Sequence, residues 1–332
     1  MFDALPKKTS LQRQKNSALG VLPSRANNGW IKREETIMGT AISVELWSDD
    51  QQVGNAAVDA VMAEMHRIDR TMSPHKLNSE LSIINRDAGT KPVAISAEMF
   101  HILARAEYFS RLSEGTFDIT YATVGRLFDY RTHTQPSAAE LENARQAIGY
   151  RHVQLDAKNM TVQFSRSDVC IDLGGFAKGH AVDNATRILR QLGISHANVS
   201  AGGDSRVIGD RRGRPWMIGV RDPRSADGVI AVLPLEDTSI STSGDYERYF
   251  IEDGKRFHHL IDPATGQSPN NVRSVTILAE DGLTTEAFSK IVFVMGIDKG
   301  MQLIESQDGV DAIIVDADGA LHYSSGLLAP QA

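Results

Sequence analysis

Four short segments of this chain combine residue types that can do chemistry. The first runs Asp172-Leu173-Gly174-Gly175-Phe176-Ala177-Lys178-Gly179. An apolar strand-like run feeds a glycine turn that opens a helical pattern. Glycines let backbone N–H groups approach a phosphate, a helix N-terminus favours an anion, and Lys178 adds a cation. The spacing meets neither the dinucleotide fingerprint nor the Walker loop. A tight turn with a solvated lysine fits the same residues equally well. The second segment, Ala201-Gly202-Gly203-Asp204, is either a turn or a place where backbone lies against a flat ligand. The third joins Ser241-Thr242-Ser243-Gly244-Asp245-Tyr246 to His258-His259-Leu260-Ile261-Asp262-Pro263-Ala264-Thr265-Gly266. A histidine there can take a proton from a hydroxyl near neutral pH. Asp-Pro and Thr-Gly are also ordinary turn chemistry, but the density of hydroxyl and imidazole groups favours the functional reading. The fourth, Gly115-Thr116-Phe117-Asp118-Ile119-Thr120, sets one aspartate between apolar residues and by itself fits a cap.

The elements that must position these segments are mixed. Thr40 to Trp47 alternates apolar and polar residues as a half-buried strand does. Apolar residues then recur at helical spacing from Val53 to Met72, which predicts an amphipathic helix over Gln51 to Thr71. Ser96 reads as the N-cap of a second helix. Ser137 and Glu140 have capping-box spacing for a third, closed by Gly149. Val153 to Phe164 reads as a hairpin with Lys158-Asn159 at its turn. Val169 to Leu173 reads as a short strand, and Ala177 to Leu192 as a helix stopped by Gly193. Further strands are expected within Gly213 to Phe250 and over Val272 to Ala279. A helix over Thr285 to Met295 follows, and a closing hairpin pairs Ala312–Val315 with Leu321–Tyr323. Strands and helices do not alternate strictly, so the expected class is α+β, one domain of mixed, largely antiparallel sheet with flanking helices.

Composition narrows the function. The chain has 332 residues, 41% hydrophobic and 23% charged, with a formal charge of −7. That is an ordinary globular composition with enough apolar residues for a sizeable core. The mild acidity argues against a nucleic-acid partner. No apolar run approaches the roughly 20 residues that span a bilayer. Cys170 stands alone, so no disulfide forms within the chain. Residues 1–29 read as a poorly ordered leader ahead of a domain over 30–328. Its one apolar patch, Ala18 to Leu22, is too short for a secretory signal, so the expected location is cytoplasmic.

Taken together and in order, the segments resemble the FAD:protein FMN transferase (ApbE) family. Met38-Gly39-Thr40 is similar to the family's opening strand motif. Met72-Ser73-Pro74-His75, Asn78-Ser79-Glu80-Leu81 and Asn85 resemble its Met-Ser-x-Tyr, Ser-Glu-Leu and Asn series. Gly115–Thr120, Asp172–Asp183, Gly202–Asp204, Thr242–Tyr246 and His259–Gly266 match its remaining motifs, so the resemblance runs from about Glu35 to Ser325. It implies cleavage of FAD at the pyrophosphate with Mg²⁺ and attachment of FMN by a phosphoester to a threonine of a partner protein, with release of AMP. By the same resemblance, Met38, His75, Thr116, Phe117, Asp118, Asp172, Lys178 and His259 fall at FAD-contact positions. His75 stands where many members have a tyrosine. His259 falls at the position of the base, with Asp262 orienting its loop.

One motif departs from the family. Its metal-binding helix reads Asp-Ala-x-x-Thr, and here the residues are Glu286-Ala287-Phe288-Ser289-Lys290. Lysine as an ammonium has no lone pair to give a metal. In one arrangement the Lys290 ammonium replaces part of the metal's charge. In another, Mg²⁺ binds through Glu286, Ser289 and backbone oxygens such as the Gly175 carbonyl, with Lys290 turned aside. A third outcome is a non-catalytic FAD-binding protein. Hydrolysis of FAD to FMN and AMP is the alternative activity.

Overall fold

The computed structural model describes residues 29–225 and 228–328, so the expected leader lies, except for Gly29, outside the described residues. Eight strands form one sheet in which every neighbouring pair is antiparallel. In spatial order they are β1 (Trp30–Ile37), β2 (Thr40–Trp47), β3 (Ala197–Ala201), β4 (Asp204–Ile208), β5 (Ser239–Gly244), β6 (Val272–Ala279), β7 (Asp311–Asp316) and β8 (Leu321–Tyr323). Spatial order follows chain order, so the sheet is a meander and the helices are excursions between its strands.

The helices are α1 (Gln51–Met72), α2 (Glu80–Asp87), α3 (Ala97–Leu112), α4 (Ala177–Gln191), α5 (Gly282–Met295) and α6 (Ile297–Glu305), with shorter turns between them. The starts of the longer helices follow from their caps. Asp50 accepts the Gln52 and Val53 N–H groups, and Ser96 accepts that of Met99. Ser137 and Glu140 form the expected capping box, although that helix ends at Arg145, before Gly149. α1, α4 and α5 carry the main core against one sheet face: Ile42, Val44 and Leu46 of β2 are fully buried there with Val61, Met65, Ala185 and Ile291. On the opposite face a two-stranded ribbon, Trp216–Arg221 with Val229–Leu235, closes a smaller cluster of Val207, Trp216, Leu235, Ile240 and Leu278. The expected α+β class with a largely antiparallel sheet is what the chain adopts.

The expected strand over Val169–Leu173 is a correction. The segment is extended but pairs with no strand, because side chains take its backbone groups. The Thr123 hydroxyl accepts the Cys170 N–H at 2.9 Å, and the Asn85 amide exchanges two hydrogen bonds of 2.8 Å with Ile171. β1, α2 and α6 were not foreseen, since none carries a long apolar period. α5 begins at Gly282, earlier than Thr285, because Asp281 caps it through the Thr284 N–H at 2.7 Å.

Candidate active site

The pinned segment delivers Asp172 and the Gly174-Gly175 turn to the start of α4. Asp172 accepts the Gly174 N–H, and the Tyr121 hydroxyl lies 3.5 Å from the same carboxyl oxygen. Burial pushes the Asp172 carboxyl above its usual range, and the Gly174 N–H and the Arg248 charge pull it part of the way back. The first residue before α4, Phe176, supplies no side-chain cap. A carboxylate from another helix does so instead: Glu286 accepts the Gly179 N–H at 2.7 Å.

That contact requires close helices. A Cβ on Gly179 would stand 2.2 Å from the Gly282 carbonyl oxygen, so only glycine lets α4 and α5 approach this near. Asp183, one turn further along α4, accepts the Gly282 and Leu283 N–H groups at 2.8 and 3.1 Å. It also holds Arg206 at 2.8 Å. The N-terminus of α5 therefore faces two carboxylates, Asp281 and Asp183, which suits its unpaired N–H groups.

Between the two helices and the sheet lies a centre of four charges. The Lys178 ammonium bonds both Asp204 and Glu286. Asp204 and Glu286 are buried, the latter completely. Lys290 places its ammonium 3.4 Å from Glu286 Oε1 and 3.4 Å from Ser289 Oγ. Ser241 donates to Asp204, and Ser289 Oγ lies 2.8 Å from Ser243 Oγ while donating to the Glu286 carbonyl at 2.8 Å. The opposite charges hold Asp204 ionised and Lys178 strongly protonated despite burial, while burial lowers Lys290. Lys178, read from the sequence as a pyrophosphate cation, thus spends its ammonium on two carboxylates.

The expected metal residues are brought together, and they do not fit Mg²⁺. Both Glu286 oxygens are engaged, one by ammonium groups and one by the Gly179 N–H. Lys290 is not turned aside: its ammonium lies against Glu286 and Ser289, and its Cε is 3.5 Å from where a Gly175 side chain would start. Among the described residues no three His, Cys, Asp or Glu side chains converge as a metal cluster. A hard divalent ion takes about six oxygen ligands, and the Glu286 and Ser289 oxygens here already bond ammonium and N–H groups.

His259 lies near enough to Lys290 to feel its charge. Its backbone N–H donates to the Arg248 carbonyl at 3.1 Å, and its Nδ1 is buried without a partner among the described residues. Burial, with the positive charges around it, holds the imidazole down to about 3, so the ring is neutral at physiological pH. Its neighbour His258 is wholly buried, bonds the Pro269 carbonyl through Nε2 at 2.7 Å and packs edge-on against Phe293. Asp262 accepts the Ala264 N–H at 2.9 Å and the Thr265 hydroxyl at 3.1 Å, which holds the Asp262–Gly266 turn.

The other expected residues divide into a rim and a support. His75 is exposed, near enough to Asp172 to act on its charge. Met38 sits half-buried in the β1–β2 turn, and the exposed Arg248 comes within 3.7 Å of a side-chain position on its neighbour Gly39. Phe117, by contrast, is in the core against Phe109 and Phe176. Asp118 is buried and bonds the Thr120 N–H and hydroxyl and, at 2.6 Å, the Tyr150 N–H. The half-buried Thr116 donates its N–H to the Ser113 carbonyl at 3.0 Å. The Gly115–Thr120 segment therefore contributes shape more than free polar groups. Arg248, Tyr121 and Asp183 were missed as site residues. Asp183 lay inside a quoted motif, and Arg248 follows the hydroxyl-rich segment by two residues, but neither position signals what it faces.

A model of the ApbE family matches residues 38–314. The FAD:protein FMN transferase of Vibrio cholerae is 32% identical over 306 residues, covering 88% of this chain and 90% of that protein. That of Haemophilus influenzae is 31% identical over 294 residues, covering 85% of each. Among solved structures, the ApbE protein of Thermotoga maritima superposes with a TM-score of 0.84 at 35% identity, over 90% of this chain and 98% of that one. The flavin transferase ApbE of Vibrio cholerae does so with a TM-score of 0.81 at 26% identity, over 90% and 98%.

Proposed function

The chain belongs to the ApbE family, and from that premise we propose that it is an FAD:protein FMN transferase with a threonine of a partner protein as acceptor. The acceptor hydroxyl oxygen attacks the phosphorus on the riboflavin side of the pyrophosphate. The new P–O bond forms as the bridging P–O bond breaks, and AMP leaves with the electron pair. The hydroxyl proton goes to the neutral ring of His259. A hydroxyl is a poor nucleophile until a base takes that proton. The observation that carries this reading is His259 itself, a neutral imidazole whose backbone N–H bonds the Arg248 carbonyl and whose buried Nδ1 has no partner among the described residues.

The remaining residues take supporting roles. The Gly174-Gly175 turn offers backbone to the pyrophosphate, with Arg248 as its exposed cation. Met38 and His75 border the flavin, an imidazole stacking with less area than a tyrosine. Thr116, Phe117 and Asp118 set the wall behind it, and Asp262 keeps the His259 loop in shape. Lys178 orders Asp204 and Glu286 beneath the turn. The residues at the expected metal position do not fit Mg²⁺. No helix among the described residues is long and apolar enough to cross a membrane.

The test is intact-mass spectrometry after mixing the protein with FAD and a threonine-bearing acceptor. A gain of one FMN on the acceptor, lost when that threonine becomes alanine, supports transfer. Free FMN and AMP without acceptor labelling point to FAD hydrolysis. Unchanged FAD points to a binder.

A further inference from the structure

Two ammonium groups, Lys178 and Lys290, face two buried carboxylates, Asp204 and Glu286, so the centre beneath the glycine turn is balanced in charge without any added cation. The side-chain oxygens of Glu286 and Ser289 that a cation there would use already have partners. Glu286 Oε1 faces both ammonium groups, its Oε2 takes the Gly179 N–H, and Ser289 Oγ lies 3.4 Å from Lys290 Nζ. The Lys290 stem lies along Gly175, the residue of the turn assigned to the pyrophosphate. Its two contacts are long at 3.4 Å, so the ammonium keeps hydrogen-bonding capacity toward that turn. A divalent ion entering here would meet a fixed positive charge and would have to take ligands from it.

We propose that the Lys290 ammonium is the built-in cation of this centre, so that the chain takes up no divalent metal there and uses FAD without one. This rests on the flavin transferase reading for its second half only; the first half concerns the cation site and is tested without turnover. Transfer itself is unchanged in its balance: one P–O bond forms, one breaks, and the proton goes to His259.

The experiment uses the full chain, freed of metal with EDTA and then desalted, and Mn²⁺ as a paramagnetic stand-in for Mg²⁺. Electron paramagnetic resonance reports free Mn²⁺, and flavin fluorescence reports FAD affinity with EDTA or with Mg²⁺. The native chain is expected to show no saturable Mn²⁺ site and an FAD affinity that EDTA and Mg²⁺ change by less than about twofold. Lys290→Thr removes the ammonium and is expected to gain one Mn²⁺ site, with FAD affinity at least about tenfold better in Mg²⁺ than in EDTA, a shift of about 1.4 kcal/mol. Saturable Mn²⁺ binding by the native chain overturns the proposal. So does a folded Lys290→Thr that gains no site. If Lys290→Thr does not fold, the native titration and the native EDTA comparison still decide. A native chain that ignores Mn²⁺ yet transfers no FMN under any condition supports the cation assignment and counts against the transferase reading alone.

Discussion

His259 joins a neutral ring to an unpartnered, buried Nδ1, and both properties set what a substitution there does. His259→Ala is expected to keep FAD binding and lose about 100- to 10,000-fold in transfer rate, as removal of a general base does. Fluorescence titration and a stopped transfer assay separate the two. The same ring makes stability depend on pH. Its value is about 3 in the folded chain against 6.5 for a free histidine. Between those values the unfolded chain binds a proton that the native chain refuses, so this contribution to stability is lost as pH falls from 6.5 toward 3. Urea midpoints measured at pH 7 and pH 5 should fall less in His259→Asn than in the native chain; an equal fall would mean the ring titrates normally. Lys178 behaves differently. Lys178→Met leaves Asp204 and Glu286 buried with one ammonium between them, which should destabilise the fold by about 3–5 kcal/mol, the scale of breaking a buried pair. A pyrophosphate-only role for Lys178 would instead weaken FAD binding and leave the urea midpoint in place.

Among the elements, the α4–α5 contact matters most, because it brings the Gly179 N–H and Glu286 together. A methyl group on Gly179 would meet the Gly282 carbonyl at 2.2 Å, backbone against side chain, with nothing flexible to yield. Gly179→Ala should therefore cost about 1–3 kcal/mol by overpacking and splay the two helices. Thermal unfolding checks the cost, and loss of FAD affinity in the folded fraction checks the splaying. The unpaired segment before α4 depends on a single side chain in the same way. Asn85→Ala leaves the Ile171 N–H and carbonyl without the two 2.8 Å bonds that hold them. A cost on the order of 2 kcal/mol is expected, since unsatisfied buried groups cost about 1–3 kcal/mol. Hydrogen exchange at the Ile171 amide is the direct readout.

For the molecule as a whole, the sheet has a different cover on each face. Trp30, Trp47 and Trp216 stack edge-on at 5.5 and 5.4 Å beside the smaller cluster, while most of the helical mass lies on the other face. Ile277 and Leu278 are neighbours on β6, yet each serves a different cluster. Loss of β6 would open both faces at once. Tryptophan fluorescence and far-ultraviolet circular dichroism should therefore report the same urea midpoint. Two separated transitions would show that the ribbon side unfolds on its own.

Local order was legible in the sequence wherever a period or a cap fixes it. The strand Thr40–Trp47, the helix from Gln51, and the Ser96 and Ser137 caps all stand where alternation, helical spacing and hydroxyl-to-amide geometry put them. The family was legible too, because ordered motifs name it without reference to distance. Tertiary structure alone decided what each charge faces. Lys178 and Glu286 lie more than a hundred residues apart, as do Gly179 and Glu286, and no local period records such a pairing. Val169–Leu173 reads as a strand because apolar runs look alike whether their amides pair with another strand or with Asn85 and Thr123. The same holds at Lys290: the residue type says that an ammonium replaces a hydroxyl, and only packing against Gly175 turns it into the charge centre. Side-chain direction at such a site is set by which helices touch, and that depends on a glycine whose missing Cβ is visible only when α4 meets α5.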